Sequence, residues 1–321
     1  MPENLVSALL AGEKFLIFTH VRPDGDAIGS AFGMRSFLND IGKKADVVLP
    51  ADPPARYLKF GLEYLRSADP ANYDTVIALD CAARDRIADG GAMALLASEE
   101  RFFNLDHHFT NNIQASVWNY VDSKASSASE IAAKIALSSG RKMSPHTARF
   151  FLAGMMTDTG GFKFSNTTGD VLRTAALLLD HGANLEELVN ILFFSKPENQ
   201  LRFESELISK QIRRNCSGRF AYAFIPQEML DKYDFSLKED EGLIDLLREI
   251  DGVVIAMLVH HQSDGFKVSL RSKDPRYPVA SVAAAFGGGG HLMAAGATLK
   301  CDSFEEVEKL LLEKITKVLE D

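Results

Sequence analysis

The chain has 321 residues, 46% of them hydrophobic and 25% charged, which excludes a disordered or collagen-like chain and, at roughly 150 residues per domain, leaves room for about two globular domains. Lys and Arg number 35 against 44 Asp and Glu, and a net charge of −9 without a basic block excludes sequence-independent binding to long nucleic acid, duplexes included. Cys81, Cys216 and Cys301 are odd in number and lack CxxC spacing, and no apolar run reaches the ~18 residues of a membrane helix, so a soluble cytoplasmic protein with no membrane partner is expected.

Four apolar, β-rich runs recur in the first half: Phe15 to Thr19, Ala45 to Leu49, Thr75 to Leu79 and Phe102 to Leu105. They read as buried strands. A helix-like stretch, Ile28 to Leu38, closes near Gly42 between the first two, and such alternation predicts a parallel sheet covered by helices. Ser127 and Glu130 form a capping box ahead of Ile131, Ile135 and Ala136, with Gly140 as the stop. Val171, Leu172, Ala175, Ala176 and Leu179 keep helical spacing from Asp170 to Asp180, Gly182 ends that segment, and Asn184 caps a short helix after it.

Pro197 opens a polar amphipathic stretch to about Arg214, carrying Leu201, Leu207, Ile208 and Ile212, which suits a helix bridging two lobes. Beyond Gly218, strands are expected at about Phe220 to Phe224, Val253 to Val259 and Phe266 to Leu270, the last two joined as a hairpin through Ser263-Asp264-Gly265. Ser303 and Glu306 repeat the capping box before Val307, Leu310, Leu311, Ile315 and Leu319. The expected fold class is α/β. An N-terminal domain with a helix-flanked parallel sheet occupies 1–190, a linker helix 191–215, and a smaller C-terminal α/β domain with a mixed sheet 216–321.

Phe15 to Ser30 reads FLIFTHVRPDGDAIGS: a buried strand delivers His20, and a Pro/Gly turn then presents Asp24 and Asp26 before a helix. Alone, the string also reads as turn-forming aspartates beside a histidine. Two further strands end in Asp80 and in Asp106-His107-His108, however, and the carboxyl ends of parallel strands are neighbours in an open α/β sheet. Asp158 follows the apolar run Phe151 to Met156 and precedes Gly160-Gly161; in isolation it would be a cap residue.

Gathering Asp24, Asp26, Asp80 and Asp158 with His20 and His107 is strongly repulsive unless cations are present. Carboxylate and imidazole mixtures suit Mn²⁺, Fe²⁺, Co²⁺ or Zn²⁺, with Mn²⁺ the preferred reading. Two ions sharing one carboxylate activate water for in-line attack on phosphorus, which makes phosphoester hydrolysis the natural reaction class.

In the second half, Phe286 leads into Gly287-Gly288-Gly289-Gly290-His291, whose backbone can approach a ligand closely and whose N–H groups can form an anion nest. The same run can also be a flexible connection. Arg271, ending the strand Phe266 to Leu270, is either a bidentate phosphate donor or a solvated strand end. His146, His181, His260 and His261 take structural readings, and Trp118 and Tyr120 are expected to pack in the core or on an edge strand.

The ordered set HVRPDGD, ALD, DHH, MMTDTGG and GGGGHLMAAGA closely resembles the DHH/DHHA1 phosphoesterase family, over almost the whole chain and specifically its stand-alone two-domain members of the nano-RNase and pAp-phosphatase type. ASSASE, Ala125 to Glu130, is similar to the Ser-rich helix start of these proteins. The resemblance implies two divalent ions, one on His20, Asp24 and Asp80, the other on Asp26, Asp80, His107 and Asp158. Asp80 would bridge them, Asp106 would support the site, and His108 would face the scissile phosphate. Arg271, Gly288, Gly289, Gly290 and His291 would hold the substrate's distal phosphate or terminal nucleotide in a cleft between the lobes.

The implied activity is Mn²⁺-dependent hydrolysis of short oligoribonucleotides to mononucleotides, with phosphatase action on pAp. Hydrolysis of cyclic di-AMP or pApA stands as the close alternative, and a nucleotide-sensing protein without catalysis as the alternative from another class. CAARDR, after Asp80, departs from the family pattern and leaves Arg84 and Arg86 as phosphate contacts only. The oligomeric state is open, a homodimer included.

Overall fold

Strands apolar on both faces can be satisfied only in a sheet covered from both sides, and the first half of the chain builds one. In the computed structural model, which describes residues 2–87, 101–113, 118–237 and 242–320, these strands are β1 (Lys14–Phe18), β2 (Lys44–Val48), β3 (Thr75–Leu79), β4 (Phe102–Asp106) and β5 (Trp118–Val121). They run parallel in the order β2-β1-β3-β4-β5. β5 is the edge strand that takes up Trp118 and Tyr120, with the Trp118 ring stacked on Phe103 at 5.6 Å.

A short helix α1 (Glu3–Leu10) precedes the sheet, and α2 (Gly25–Asp40), α3 (Ala128–Ser138) and α4 (Pro145–Asp158) pack against one another. Ser127 caps α3 as its capping box leads one to expect, Asp24 caps α2, and Ser144 with Pro145 begins α4. Two glycines let these helices touch backbone to backbone. A Cβ on Gly29 would fall 2.6 Å from the Gly154 main chain, and one on Gly154 would fall 1.9 Å from Ser129 Oγ. This crossing brings the start of α2, the start of α3 and the end of α4 together. Beyond it, α5 (Gly169–Asp180) and α6 (Leu185–Leu192) are capped by Thr168 and Asn184.

Contacts divide the chain into two compact units, Met1–Ser195 and Lys196–Asp321. In the second, the segment expected to be helical to Arg214 is α7 (Glu198–Glu206) with a π turn at Leu207–Gln211, followed by strand β6 (Ile212–Asn215). Phe203 and Leu207 are buried in a cluster with Ile225, Met229 and Leu258, which anchors α7 to this unit's own core. The sheet continues with β7 (Phe220–Ile225), β8 (Ile255–Gln262), β9 (Gly265–Ser272), β10 (Gly289–His291) and β11 (Ala294–Leu299), in the order β10-β11-β9-β8-β7-β6. It is mixed, since β7 and β8 pair in parallel and the other neighbours antiparallel. The β8–β9 hairpin turns through Ser263 and Asp264, and α8 (Phe304–Glu320), begun by Ser303, covers the sheet with Val307, Leu311 and Ile315. Among the described residues, no helix is long and apolar enough to cross a membrane.

Candidate metal centre

Strand order reverses between β1 and β3, and ligands of open α/β sheets bind outside the carboxyl ends at such a point. His20 lies just past β1, Asp80 directly past β3, and Asp106 ends β4 with His107 and His108 after it. Helix packing supplies the remaining groups: Asp24 and Asp26 from the start of α2, Asp158 from the end of α4. Their donor atoms fall into three sets, His20-Asp24-Asp80, Asp26-His107-Asp158 and Asp80-His107-His108, each within 4.8 Å.

Asp80 is shared by the first and third sets, and His107 by the second and third. Asp80 Oδ2 lies 3.5 Å from His20 Nε2 and its Oδ1 3.5 Å from His107 Nε2, so each oxygen faces a different imidazole. The residue has φ of 59°, a left-handed backbone uncommon outside glycine, asparagine and aspartate, held by its N–H donating to Leu105 O at 3.1 Å. Strain of this kind at the turn of a ligand aims the carboxylate into the site.

Asp24 divides its oxygens. Oδ1 accepts the N–H groups of Asp26 and Ala27 at 3.0 Å each, while Oδ2 faces His20 Nε2 at 3.9 Å. Asp26, 1% exposed, is held by the start of α3: Ala128 N–H donates to Oδ2 at 2.6 Å and Ser129 N–H to Oδ1 at 2.8 Å. A helix N-terminus stabilises an anion there. Ser127 Oγ accepts from Glu130 N–H as in a capping box, while Glu130 Oε2 reaches one residue further back and accepts from Ser126 N–H.

The charges are mutually dependent. Burial alone would lower the His20 imidazole, but Asp24 and Asp80 raise it to about 10. Burial likewise opposes, and Asp80, Asp158 and Asp26 reverse, the shift that takes His107 to about 10. Asp26 is pushed up to about 7 by burial and by the charge of Asp80, and Asp158 well above the carboxylate range by burial and by Asp26. Asp80 moves the other way, because His107 and His20 outweigh its burial.

The donor set fits divalent cations. Imidazole–carboxylate separations of 3.5 to 3.9 Å are too long for good hydrogen bonds and lie at or a few tenths of an ångström beyond the roughly 3.0 to 3.5 Å between neighbouring donors on one ion at about 2.1 Å. Asp80 Oδ1 is buried with no hydrogen-bond partner, an arrangement that a cation would satisfy. Oxygen and imidazole donors without cysteine suit a borderline or hard ion.

His108 is built differently. Its Nδ1 lies 2.8 Å from Oδ1 of the fully buried Asp106, whose Oδ2 accepts from Asn111 Nδ2 at 2.7 Å. Asn111 also donates to Cys81 O at 3.0 Å, tying the loop after β4 to the loop after β3. With Nδ1 against Asp106, Nε2 is the ring's other nitrogen. Asn111 is a site residue that sequence reasoning missed; so are Ala128 and Ser129, which act through main-chain N–H groups. Arg84 and Arg86 lie on a short turn of 3₁₀ helix whose last carbonyl, that of Arg86, accepts from Val21 N–H at 2.8 Å, next to His20.

The glycine run and Arg271 belong to the second unit. In its sheet His291 registers with Ala294, and Ala294 with Arg271, so the three occupy one row across β10, β11 and β9. Directly opposed residues share a face, which sets Arg271 and His291 about 10 Å apart with a methyl group between them. Burial lowers the Arg271 guanidinium, opposed by Asp245 and reinforced by Arg248. The run forms an edge strand. Gly288 is required because a Cβ would fall 2.2 Å from Gly296 O, and Gly290 because its φ is +142°, but Gly289 meets nothing within 4 Å.

Residues 14–155 match the model of the DHH family, N-terminal domain, and residues 217–321 that of the DHHA1 domain. A bifunctional oligoribonuclease and PAP phosphatase NrnA from Thermus thermophilus is 35% identical over 308 residues, 94% of this chain and 89% of that protein. Its namesake from Bacillus subtilis is 28% identical over 98% of this chain and 97% of its own length. Among solved structures, an exopolyphosphatase-related protein from Bacteroides fragilis superposes with a TM-score of 0.89 at 25% identity, covering 100% of this chain and 98% of that one.

Proposed function

The chain belongs to the DHH phosphoesterase family and is a hydrolase of phosphoester bonds; from that premise we propose a Mn²⁺-dependent phosphodiesterase that degrades very short RNA to mononucleotides and also dephosphorylates pAp, acting in the cytoplasm. The observation that carries the metal part of this reading is Asp80, whose two oxygens each face a separate imidazole. His20, Asp24 and Asp80 would hold one ion, and Asp26, Asp80, His107 and Asp158 the other. Bound there, two divalent ions supply an activated water nucleophile and offset the phosphate charge.

The chain's own groups do the rest. His108, its Nδ1–H held by Asp106, presents Nε2–H in its doubly protonated form as proton donor to the leaving oxygen, and the ring is left neutral. The α3 N-terminus keeps Asp26 in place while charge redistributes. Arg271, Gly288, Gly289, Gly290 and His291 hold the substrate's far phosphate, Arg271 and His291 gripping it from the two ends of their row. The substrate class is supported by the relatives named oligoribonuclease and PAP phosphatase and by the net charge of −9, which gives little means of following a long phosphate backbone.

Turnover with Mn²⁺ on dinucleotides, pentanucleotides, 20-mers, pAp and pApA tests this. Two- to five-nucleotide RNAs and pAp should be the best substrates. A kcat/KM that climbs steadily to 20-mers would refute the short-RNA assignment, and efficient turnover of pApA alone would move the enzyme to cyclic-dinucleotide breakdown.

A further inference from the structure

One side chain outside the ligand set ties the segment that carries Asp158 to the segment whose N–H groups hold Asp26. After Asp158 the chain turns through Gly160, Gly161 and Phe162, all with positive φ, and returns Asn166 toward the end of α4. Asn166 Nδ2 donates to the main-chain carbonyl of Asp158 at 3.1 Å and to that of Ser126 at 3.1 Å. Asp158 carries one candidate ligand. Ser126 stands two and three residues before Ala128 and Ser129, whose N–H groups hold both oxygens of Asp26. One amide therefore fixes the distance between the backbone that bears Asp158 and the backbone that anchors Asp26. Its own Oδ1 is buried with no hydrogen-bond partner, an unfavourable arrangement that is tolerated while both donors are in use.

We propose that Asn166 is a positioning residue that sets the affinity of the ion held by Asp26, His107 and Asp158, without acting on the His20-Asp24-Asp80 set. The inference rests on the two-ion reading above and assigns control of one ion to a residue outside the coordination sphere. Removing the amide frees the end of α4 from the start of α3, so Asp158 and Asp26 lose their common reference. Outer partners of metal ligands typically change affinity by about 10- to 100-fold.

The test is a Mn²⁺ titration of metal-free protein followed by electron paramagnetic resonance, with no substrate present. Wild type should take up two ions and give an exchange-coupled pair signal. Asn166→Ala should bind one ion as tightly as wild type and the other roughly 10- to 100-fold more weakly, giving an isolated-ion spectrum that turns into the pair signal at excess Mn²⁺. Asn166→Ser, which keeps one donor, should fall between the two and serves as the readout if the alanine variant does not fold. Asp24→Asn, which keeps the Oδ1 cap on the Asp26 and Ala27 N–H groups, should weaken the opposite ion. Folded Asn166 variants that bind both ions like wild type, or that weaken both equally, overturn the proposal alone. A wild type that binds a single ion overturns the two-ion reading and this inference with it.

Discussion

His108 Nδ1 lies 2.8 Å from Oδ1 of the buried Asp106, a part-buried hydrogen bond that ties one nitrogen of the imidazole to the carboxylate and leaves Nε2 as the other. The carboxylate can be replaced in shape but not in polarity by an amide, whose NH₂ would offer a donor to Nδ1 and favour the wrong tautomer. Asp106→Asn and His108→Ala should each lower kcat by about 10²- to 10⁴-fold with a smaller change in KM. The deficit of His108→Ala should shrink on a p-nitrophenyl nucleotide ester, whose leaving group needs no proton. Equal deficits on both substrates would remove His108 as the proton donor.

Metal-free protein should grow less stable as pH rises. His20 and His107, raised to about 10, contribute stability that is complete below about 6.5 and is lost as pH climbs through 10. Asp26, raised to about 7, adds a fall of the same sign between about pH 4 and 7, where its buried carboxyl keeps in the fold a proton that the unfolded chain has lost. The EDTA-treated protein should therefore show a falling Tm from pH 6 to 9, while the Mn²⁺-loaded protein, whose ligands are already deprotonated, should hold its Tm. Ion binding should release protons and tighten with pH. Parallel Tm curves for the two forms would contradict this charge assignment.

In the second unit, the row His291-Ala294-Arg271 makes the middle residue a test of the grip. Arg271→Ala should raise KM for dinucleotides about tenfold or more with little change in kcat, as for an interaction equal in ground and transition states. Ala294→Leu fills the gap and should do the same. Hydrolysis of bis(p-nitrophenyl) phosphate, which has no second nucleotide to hold, should respond to neither. If both variants keep wild-type KM for dinucleotides, the row is not a binding surface.

The parts of this site that the sequence makes legible are those with a periodic or clustered signal. Buried parallel strands read as β-branched apolar runs, so the residues just past their ends, His20, Asp80 and Asp106 to His108, could be placed on one rim. The capping box at Ser127 and Glu130 marked α3, but not that its N–H groups would hold Asp26, because that depends on the helix crossing at Gly29 and Gly154. Asn111 and Asn166 left no signal, since a single amide has no pattern of its own. β10 was hidden because a glycine strand shows no alternation, and β6 because Ile212 fits the helical spacing of α7 as well as it fits a strand.

The most direct test of the centre is anomalous diffraction at the manganese edge from crystals of wild type and of Asp80→Asn grown with Mn²⁺. Asparagine tolerates the left-handed backbone of residue 80, so the variant should fold and isolate the loss of the carboxylate. Wild type should show two peaks about 3.5 to 4 Å apart with one Asp80 oxygen on each, and Asp80→Asn should lose at least one of them. A single peak in wild type, or two peaks that persist unchanged in the variant, would contradict a two-ion centre joined by Asp80.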